Sequence, residues 1–472
     1  MKKLVLIFLS IVLFSCKKET ISSPNILFIM ADDHAVRALS AYDGRLNQTP
    51  NIDRIARDGV IFRNSFVTNS ICAPSRAVML TGKFSHINGH ISNSTVFDST
   101  QMTFPKLLQE AGYQTALVGK WHLRSQPMGF DYWAPLVTGT RYYNPVFNMN
   151  GEQRQIEGYT TKIVTDLALD WLDQRDQEKP FCLLLHHVAP HRTWQPDTSY
   201  LPVFLQKEYP VPENFFDDFE GREAAAVQKL SIRASDMDLP YDLKLEHPDI
   251  EGRFPRYSHT RFMNEQQKEA WKRYYDPVVD SFLKNRPEGQ ELDLYKYQRY
   301  MQDYLACIQS VDDQVGRVLD YLEANGLDQN TLVVYTSDQG FYTGEHGWFD
   351  KRFMYEPSLR TPLLMRLPEG YERKGEVREM VQNIDYAPTF LELAGSDIPE
   401  TIQGKSLLPF LKKDNGVGEE WRDAIYYHYY EYPDEHAVRR HYGIRTDRYK
   451  LIHFYYDIDV WELYDLQEDP QE

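Results

Sequence analysis

Cysteine is scarce: Cys16, Cys72, Cys182 and Cys307 are the only four in a chain of 472 residues. A chain of this length can bury a large core, so it needs no disulfide scaffold and the count implies none. Long apolar runs are missing too. Leu4–Phe14 covers 11 residues, and no later stretch reaches the roughly 18 that a bilayer-spanning helix needs. Positive charge is in short supply. Lys and Arg number 52 against 69 Asp and Glu, a net charge of −17 with His neutral. A general binder of nucleic acid or anionic membrane needs a basic surface, so both classes are excluded. What the chain does have is apolar and aromatic mass, at 42% hydrophobic and 14% aromatic residues with 32 tyrosines. That excludes a disordered polymer. The length allows about three domains or fewer.

Residues 1–16 read as an address. Lys2 and Lys3 precede the apolar run, which ends in Ser15-Cys16 before a polar stretch. The pattern resembles a bacterial lipoprotein signal, in which the cysteine is lipidated and becomes the new N-terminus. An ordinary cleaved signal containing a cysteine is the alternative. The expectation is an exported protein, periplasmic or anchored to the outer membrane of a Gram-negative bacterium. It would touch the membrane only through a lipid at Cys16.

The body alternates strand and helix patterns. Asn25–Ala31, Thr115–Val118, Phe181–Leu185 and Thr331–Tyr335 are short apolar runs that predict buried strands. Between them, Ile163, Leu167, Trp171 and Leu172 share one helix face. Leu305, Ile308, Val311, Val315, Val318 and Leu322 share another, with Gly326 as its C-terminal stop. This alternation predicts a mainly parallel α/β sheet flanked by helices. Residues 206–294 are polar, aromatic and rich in Pro, and read as an insertion with helical pieces near the site or on the surface. The body would run from 22 to 410. Residues 411–472 read as a small antiparallel sheet subdomain with a helix or two.

Chemistry collects after the strands. Asp32-Asp33, Lys120-Trp-His122, His187 with His191, and Asp338-Gln339 each follow one. In an open α/β sheet, ligands bind beyond the carboxyl ends of the strands, so the four clusters predict one site. Asp32, Asp33, Asp338 and Gln339 offer oxygen ligands that suit a hard cation such as Ca²⁺ or Mg²⁺ better than Zn²⁺. Cys72-Ala-Pro74-Ser75-Arg76 opens a helical run, which places Cys72 at a helix N-terminus that favours an anion.

Cys72-Ala-Pro74-Ser75-Arg76, followed by Leu80-Thr81-Gly82-Lys83, resembles the activation signature of the type I, formylglycine-dependent sulfatases. Gly119-Lys120-Trp121-His122, Asp338-Gln339-Gly340 and Gly344-Glu345-His346-Gly347 follow in the family order, so the resemblance runs from Pro24 onward. It implies an alkaline-phosphatase-like fold and hydrolysis of sulfate esters. It implies a formylglycine made from Cys72 by a separate maturation enzyme, and a Ca²⁺ held by Asp32, Asp33, Asp338 and Gln339. Arg76 and Lys120 would hold the diol and the charges of the metal site. Lys120 and Lys351 would bind sulfate oxygens. His191 would protonate the leaving oxygen and His122 would assist the diol, with the two histidine roles exchangeable.

Three stretches are similar to the N-acetylglucosamine-6-sulfatase branch: His187–Pro196, Asp350–Glu356, and Tyr426–Pro433 continuing to Arg440–Arg445. The resemblance implies a sulfated glycan substrate, most specifically the 6-O-sulfate of N-acetylglucosamine. It names Arg192, His346, Arg352, Glu431, His436 and Arg440 as sugar contacts. Arg192, Lys351, Arg352, Arg439 and Arg440 would make a basic mouth within the acidic whole. Residues 425–464 hold ten of the 32 tyrosines, which suits either a sugar pocket or simple strand propensity. Another branch, of iduronate-2-sulfatase or glucosamine N-sulfatase type, is the nearest alternative. A phosphatase of the wider superfamily would use Ser or Thr rather than Cys72. A non-catalytic glycan-binding lipoprotein would apply if Cys72 were never oxidised.

Overall fold

The computed structural model describes residues 23–137, 139–255, 258–371, 373–412 and 421–472. Residues 1–16, expected to be a signal segment, lie outside these residues.

The main sheet has eight strands: β1 Asn25–Ala31, β2 Val60–Phe62, β3 Gln114–Gly119, β4 Tyr132–Pro135, β5 Phe181–His186, β6 Thr331–Ser337, β7 Leu363–Arg366 and β8 Gly375–Val377. Their order across the sheet is β8-β2-β7-β6-β1-β5-β3-β4. Pairings of β1 with β5 and β6, of β3 with β4 and β5, and of β8 with β2 are parallel; only β7 runs against its neighbours. The mainly parallel sheet is as expected.

Both faces of the sheet are covered. Leu27, Ile29 and Ala31 of β1 pack on one side with α2 (Thr160–Gln174) and α4 (Gly289–Ala324). Ile26, Phe28 and Met30 pack on the other with α1 (Cys72–Thr81) and α5 (Tyr386–Leu393). The alternation follows from the two-residue period of a strand. Among the described residues, no helix is long and apolar enough to cross a membrane.

Helix α4 corrects the boundary read at residue 294. It runs for 36 residues from Gly289, about 54 Å at 1.5 Å per residue, so the supposed end of the insertion lies inside it. The rest of the insertion carries α3 (Glu265–Asn285), capped by a reciprocal pair of bonds between Asn264 and Gln267. It is tied back to α4, where Lys244 pairs with Asp303 at 3.0 Å.

A second sheet of β9 Ala424–Tyr429, β10 His441–Thr446, β11 Tyr449–Phe454 and β12 Val460–Asp465 is antiparallel in sequential order. Its inner face packs Tyr427, Tyr429, Ile452 and Phe454 against Phe66, Ile71 and Trp348 of the main body. No helix lies among the described residues 421–472; residues 413–420, part of the stretch in which a helix or two was expected, lie outside the described residues.

Candidate active site

Strand register builds the floor. Ala31 pairs with Ser337, Met30 with His186, and His186 with Gly119. The residues that follow, Asp32-Asp33, Asp338-Gln339 and Lys120, therefore emerge side by side. Gly119 is required where β3 ends: its φ is +105°, and a Cβ would meet the His186 carbonyl oxygen at 1.9 Å. Helix α1 starts at Cys72 itself and ends on Gly82, whose φ of +62° suits a helix stop. One ligand atom each from Asp32, Asp33, Cys72 and Asp338 lies within 4.8 Å of the others, and the same holds for Asp32, Cys72 and His191.

Three cations answer the three carboxylates. Arg76 reaches Asp338 Oδ2 through Nε and Nη2 at 3.0 and 2.9 Å, and Nη1 donates to the Lys120 carbonyl at 2.8 Å. Lys120 pairs with Asp32, and Lys351 donates to both oxygens of Asp33 at 2.7 Å. All six groups are buried. Burial, then repulsion from Asp338, pushes the Asp32 carboxyl well up. Burial also works against charge on Asp338, but Arg76 and then Lys120 outweigh it and hold that carboxyl below the usual range. For Lys120 and Lys351, burial is outweighed by Asp32 and Asp33 respectively, so both ammonium groups are held above the usual range.

Two buried oxygens in this cluster have no hydrogen-bond donor, Asp32 Oδ1 and Gln339 Oε1. Gln339 turns its amide nitrogen to Asp33 and, at 3.6 Å, to Cys72 Sγ. Three carboxylates and a spare carboxamide oxygen make an all-oxygen donor set of the kind Ca²⁺ takes. The residues therefore fit a hard cation.

Above the floor opens a cleft of about 1050 Å³. Cys72, Lys120, His122, His191 and Lys351 line it, with Arg192, Arg352 and His436 on its walls. His191 Nδ1 lies 2.5 Å from the Arg192 carbonyl oxygen and Nε2 3.7 Å from Asp33 Oδ2. A carbonyl only accepts, so Nδ1 carries hydrogen and Nε2 is the atom free for proton exchange. Burial, then Lys120, holds His191 below the usual imidazole range, and the same two causes act more strongly on His122. His187 is fully buried outside the cleft, its backbone N–H bonded to Met30.

Other expected contacts lie elsewhere. His346 is buried in an aromatic cluster with Tyr342, Trp348 and Tyr355, its Nδ1 2.7 Å from Asp217. Arg440 stacks on Tyr456 and Arg439 pairs with Asp457, so neither lines the cleft. Glu431 is behind the wall, bonded to the backbone of Asn93. None of the ten C-terminal tyrosines lines the cleft; Trp121, Trp133, Tyr241 and Phe254 provide its aromatic surfaces. Strand packing accounts for Tyr427 and Tyr429. The mouth is mixed rather than simply basic, since Asp350, Asp434 and Glu435 stand beside Arg124, Arg192 and Arg352.

Some residues that build or brace the wall were not named as site residues from the sequence. Asp242, from the insertion, holds Arg192 with two bonds of 2.7 and 2.9 Å, while Glu435 takes its remaining nitrogen at 3.1 Å. Asp350 pairs with Arg352 and lies 3.4 Å from His436. Asp350 opens the stretch Asp350–Glu356 that resembles the N-acetylglucosamine-6-sulfatase branch, which was the available hint.

Comparison with known proteins gives the family. Residues 24–396 match the Sulfatase family, and residues 344–472 match the family described as N-sulphoglucosamine sulphohydrolase, C-terminal. An N-acetylglucosamine-6-O-sulfatase of Bacteroides thetaiotaomicron is 48% identical, over 97% of this chain and 83% of that protein. Human N-acetylglucosamine-6-sulfatase is 28% identical, over 86% of this chain and 67% of its own length. The solved structure of BT4656 in complex with its substrate D-glucosamine-2-N,6-O-disulfate superposes with a TM-score of 0.92 at 48% identity, covering 95% of this chain and 92% of that one. By its sequence match, its fold and its site, this chain belongs to the sulfatase family of sulfate-ester hydrolases.

Proposed function

We propose that this sulfatase removes the 6-O-sulfate of N-acetylglucosamine in a sulfated glycan, using a formylglycine made from Cys72 by a maturation enzyme and a calcium ion. The observation that carries the reading is the meeting of Cys72 with Asp32, Asp33 and Asp338 within 4.8 Å at the bottom of a sugar-sized cleft. The choice of sugar is supported by the 48% identity to an N-acetylglucosamine-6-O-sulfatase.

Asp32, Asp33, Asp338 and Gln339 would hold the calcium, which supplies Lewis-acid charge for a sulfate oxygen. Residue 72, as a hydrated aldehyde, would supply one hydroxyl as nucleophile toward sulfur and a second whose deprotonation would release sulfate. The rest falls to the chain's own side chains. Arg76 locks Asp338 and the Lys120 carbonyl in place. Lys120 and Lys351 keep their protons and bind sulfate oxygens, where negative charge grows. His191 delivers a proton from Nε2 to the leaving sugar oxygen. A bound sulfate offsets the repulsion from Lys120, which favours the protonated ring. His122 lines the same cleft as residue 72 and would take its proton. Asp350, Arg352 and His436 form one connected group on the cleft wall suited to sugar hydroxyls. Export and lipidation at Cys16 belong to the same proposal.

The test is sulfate release from three sugars: N-acetylglucosamine-6-sulfate, glucosamine-2-N-sulfate and the 2-N,6-O-disulfate. Loss of the 6-sulfate alone is expected. Loss of the N-sulfate alone would reassign the enzyme to the branch that names its C-terminal family match. Arg352→Ala should raise KM on the sugars and leave an aryl sulfate nearly unaffected.

A further inference from the structure

Helix α1 begins at Cys72, and its N-cap residue, Ile71, has no side chain that can cap it. The first turn therefore presents backbone N–H groups that need acceptors from elsewhere. One comes from a loop twenty residues further along: Asn93 Oδ1 accepts the Ala73 N–H at 3.1 Å. On its other side, the Asn93 backbone N–H donates to Glu431 Oε1, also at 3.1 Å. Asn93 is thus fastened at two points, to the residue after Cys72 and to the C-terminal subdomain.

The first of these bonds settles which way the carboxamide points. A backbone N–H must meet the amide oxygen, so the NH₂ end is the one turned away from Ala73. Asn93 lines the cleft together with Cys72, Lys120 and Lys351. No other side chain or carbonyl among the described residues takes its Nδ2. Asn93 thus lines the cleft with an amide nitrogen that no described residue takes, bonded through its oxygen to the residue after Cys72. Lys120 and Lys351 bring full charge to the same place, and Asn93 adds a neutral, directional donor.

We propose that Asn93 is a substrate contact: its Nδ2 donates to an oxygen of the sulfate ester held over residue 72, and Glu431 is the positioning residue behind it. This rests on the sulfate-ester reading above and deepens it. Glu431, expected from the sequence to touch the sugar, acts instead through the Asn93 backbone. The geometry also separates the two roles chemically. The amide meets the anion, and Glu431 Oε1 accepts the Asn93 backbone N–H.

Three variants test the proposal. Asn93→Asp keeps an oxygen for Ala73 and turns the donor into a second oxygen that repels an anion. Asn93→Ala removes both ends. Glu431→Gln keeps an acceptor for the Asn93 N–H. Each is measured for kcat, KM and Tm. Binding of N-acetylglucosamine-6-sulfate and of unsulfated N-acetylglucosamine is then titrated in a Cys72→Ala background. A hydrogen bond to a charged group corresponds to a loss of about tenfold to a hundredfold. Asn93→Asp should lose at least that much in kcat/KM and in affinity for the sulfated sugar, with unsulfated sugar binding unchanged. Asn93→Ala should lose about tenfold, and Glu431→Gln should stay within about threefold of the parent. Unchanged affinity for the sulfated sugar in both Asn93 variants overturns the contact. So does an equal loss for the two sugars, which marks a structural role. If the wild type releases no sulfate but Asn93→Asp still weakens binding of the sulfated sugar alone, the contact stands and the hydrolase reading falls.

Discussion

Lys351 holds the carboxylate of Asp33 at both oxygens, 2.7 Å each, and Gln339 donates its amide nitrogen to one of the same two oxygens. This turns the other end of Gln339 into a buried oxygen without a donor. If that oxygen is a calcium ligand, Gln339→Leu should weaken calcium by at least about tenfold, which is about 1.4 kcal/mol. Calcium bound to the native state raises stability in proportion to the logarithm of its excess over Kd. The Tm gain of the wild type in calcium against chelator should therefore shrink in Gln339→Leu. Equal gains in the two proteins would remove Gln339 from the ligand set.

Arg192 and Asp242 form a buried pair linking the insertion to the cleft wall. Burial alone would lower the Arg192 pKa; Asp242 outweighs it and holds the guanidinium firmly charged. Asp242→Asn takes away the principal partner of that charge and leaves Glu435 at 3.1 Å, so the loss should fall below the about 3–5 kcal/mol of a fully broken buried pair. Tm should fall and KM for the sulfated sugar should rise. Adding Arg192→Met should recover part of the Tm but none of the KM. Recovery of both would show that Arg192 does not meet the substrate.

Burial, followed by repulsion from Asp434, raises the Glu431 carboxyl to about 7 from its ordinary 4.5. Between those values the folded chain binds a proton that the unfolded chain releases. Glu431 therefore supports stability most fully below pH 4.5, and its contribution is lost as pH rises through 7. Glu431→Gln removes this dependence. Its Tm should gain on the wild type as pH goes from 4.5 to 8, in parallel melts. A constant difference across that range would place the Glu431 carboxyl near its ordinary value.

The floor of the site was legible because each part is local. Asp32-Asp33, Lys120 and Asp338-Gln339 follow apolar runs of strand length, and a parallel sheet delivers such strand ends to one edge. The walls were less legible because they are made by partners far apart in the chain. Arg192 meets Asp242 across fifty residues, and Glu431 meets Asn93 across 338. His346 shows the opposite failure. The branch resemblance implied a substrate contact, while the structure places it among Tyr342, Trp348 and Asp217, away from the cleft. The long helix α4 was cut short because its first turns, Gly289–Leu294, carry mixed polarity that only the tertiary contacts resolve.

The most direct measurement is the mass of the peptide spanning Cys72, taken from protein made with a maturation enzyme and assayed in parallel for sulfate release. An aldehyde in place of the thiol is predicted, with the modified fraction tracking the activity and with Cys72→Ala inactive. An unmodified thiol throughout, in a preparation that still releases sulfate, would contradict a formylglycine nucleophile at this position.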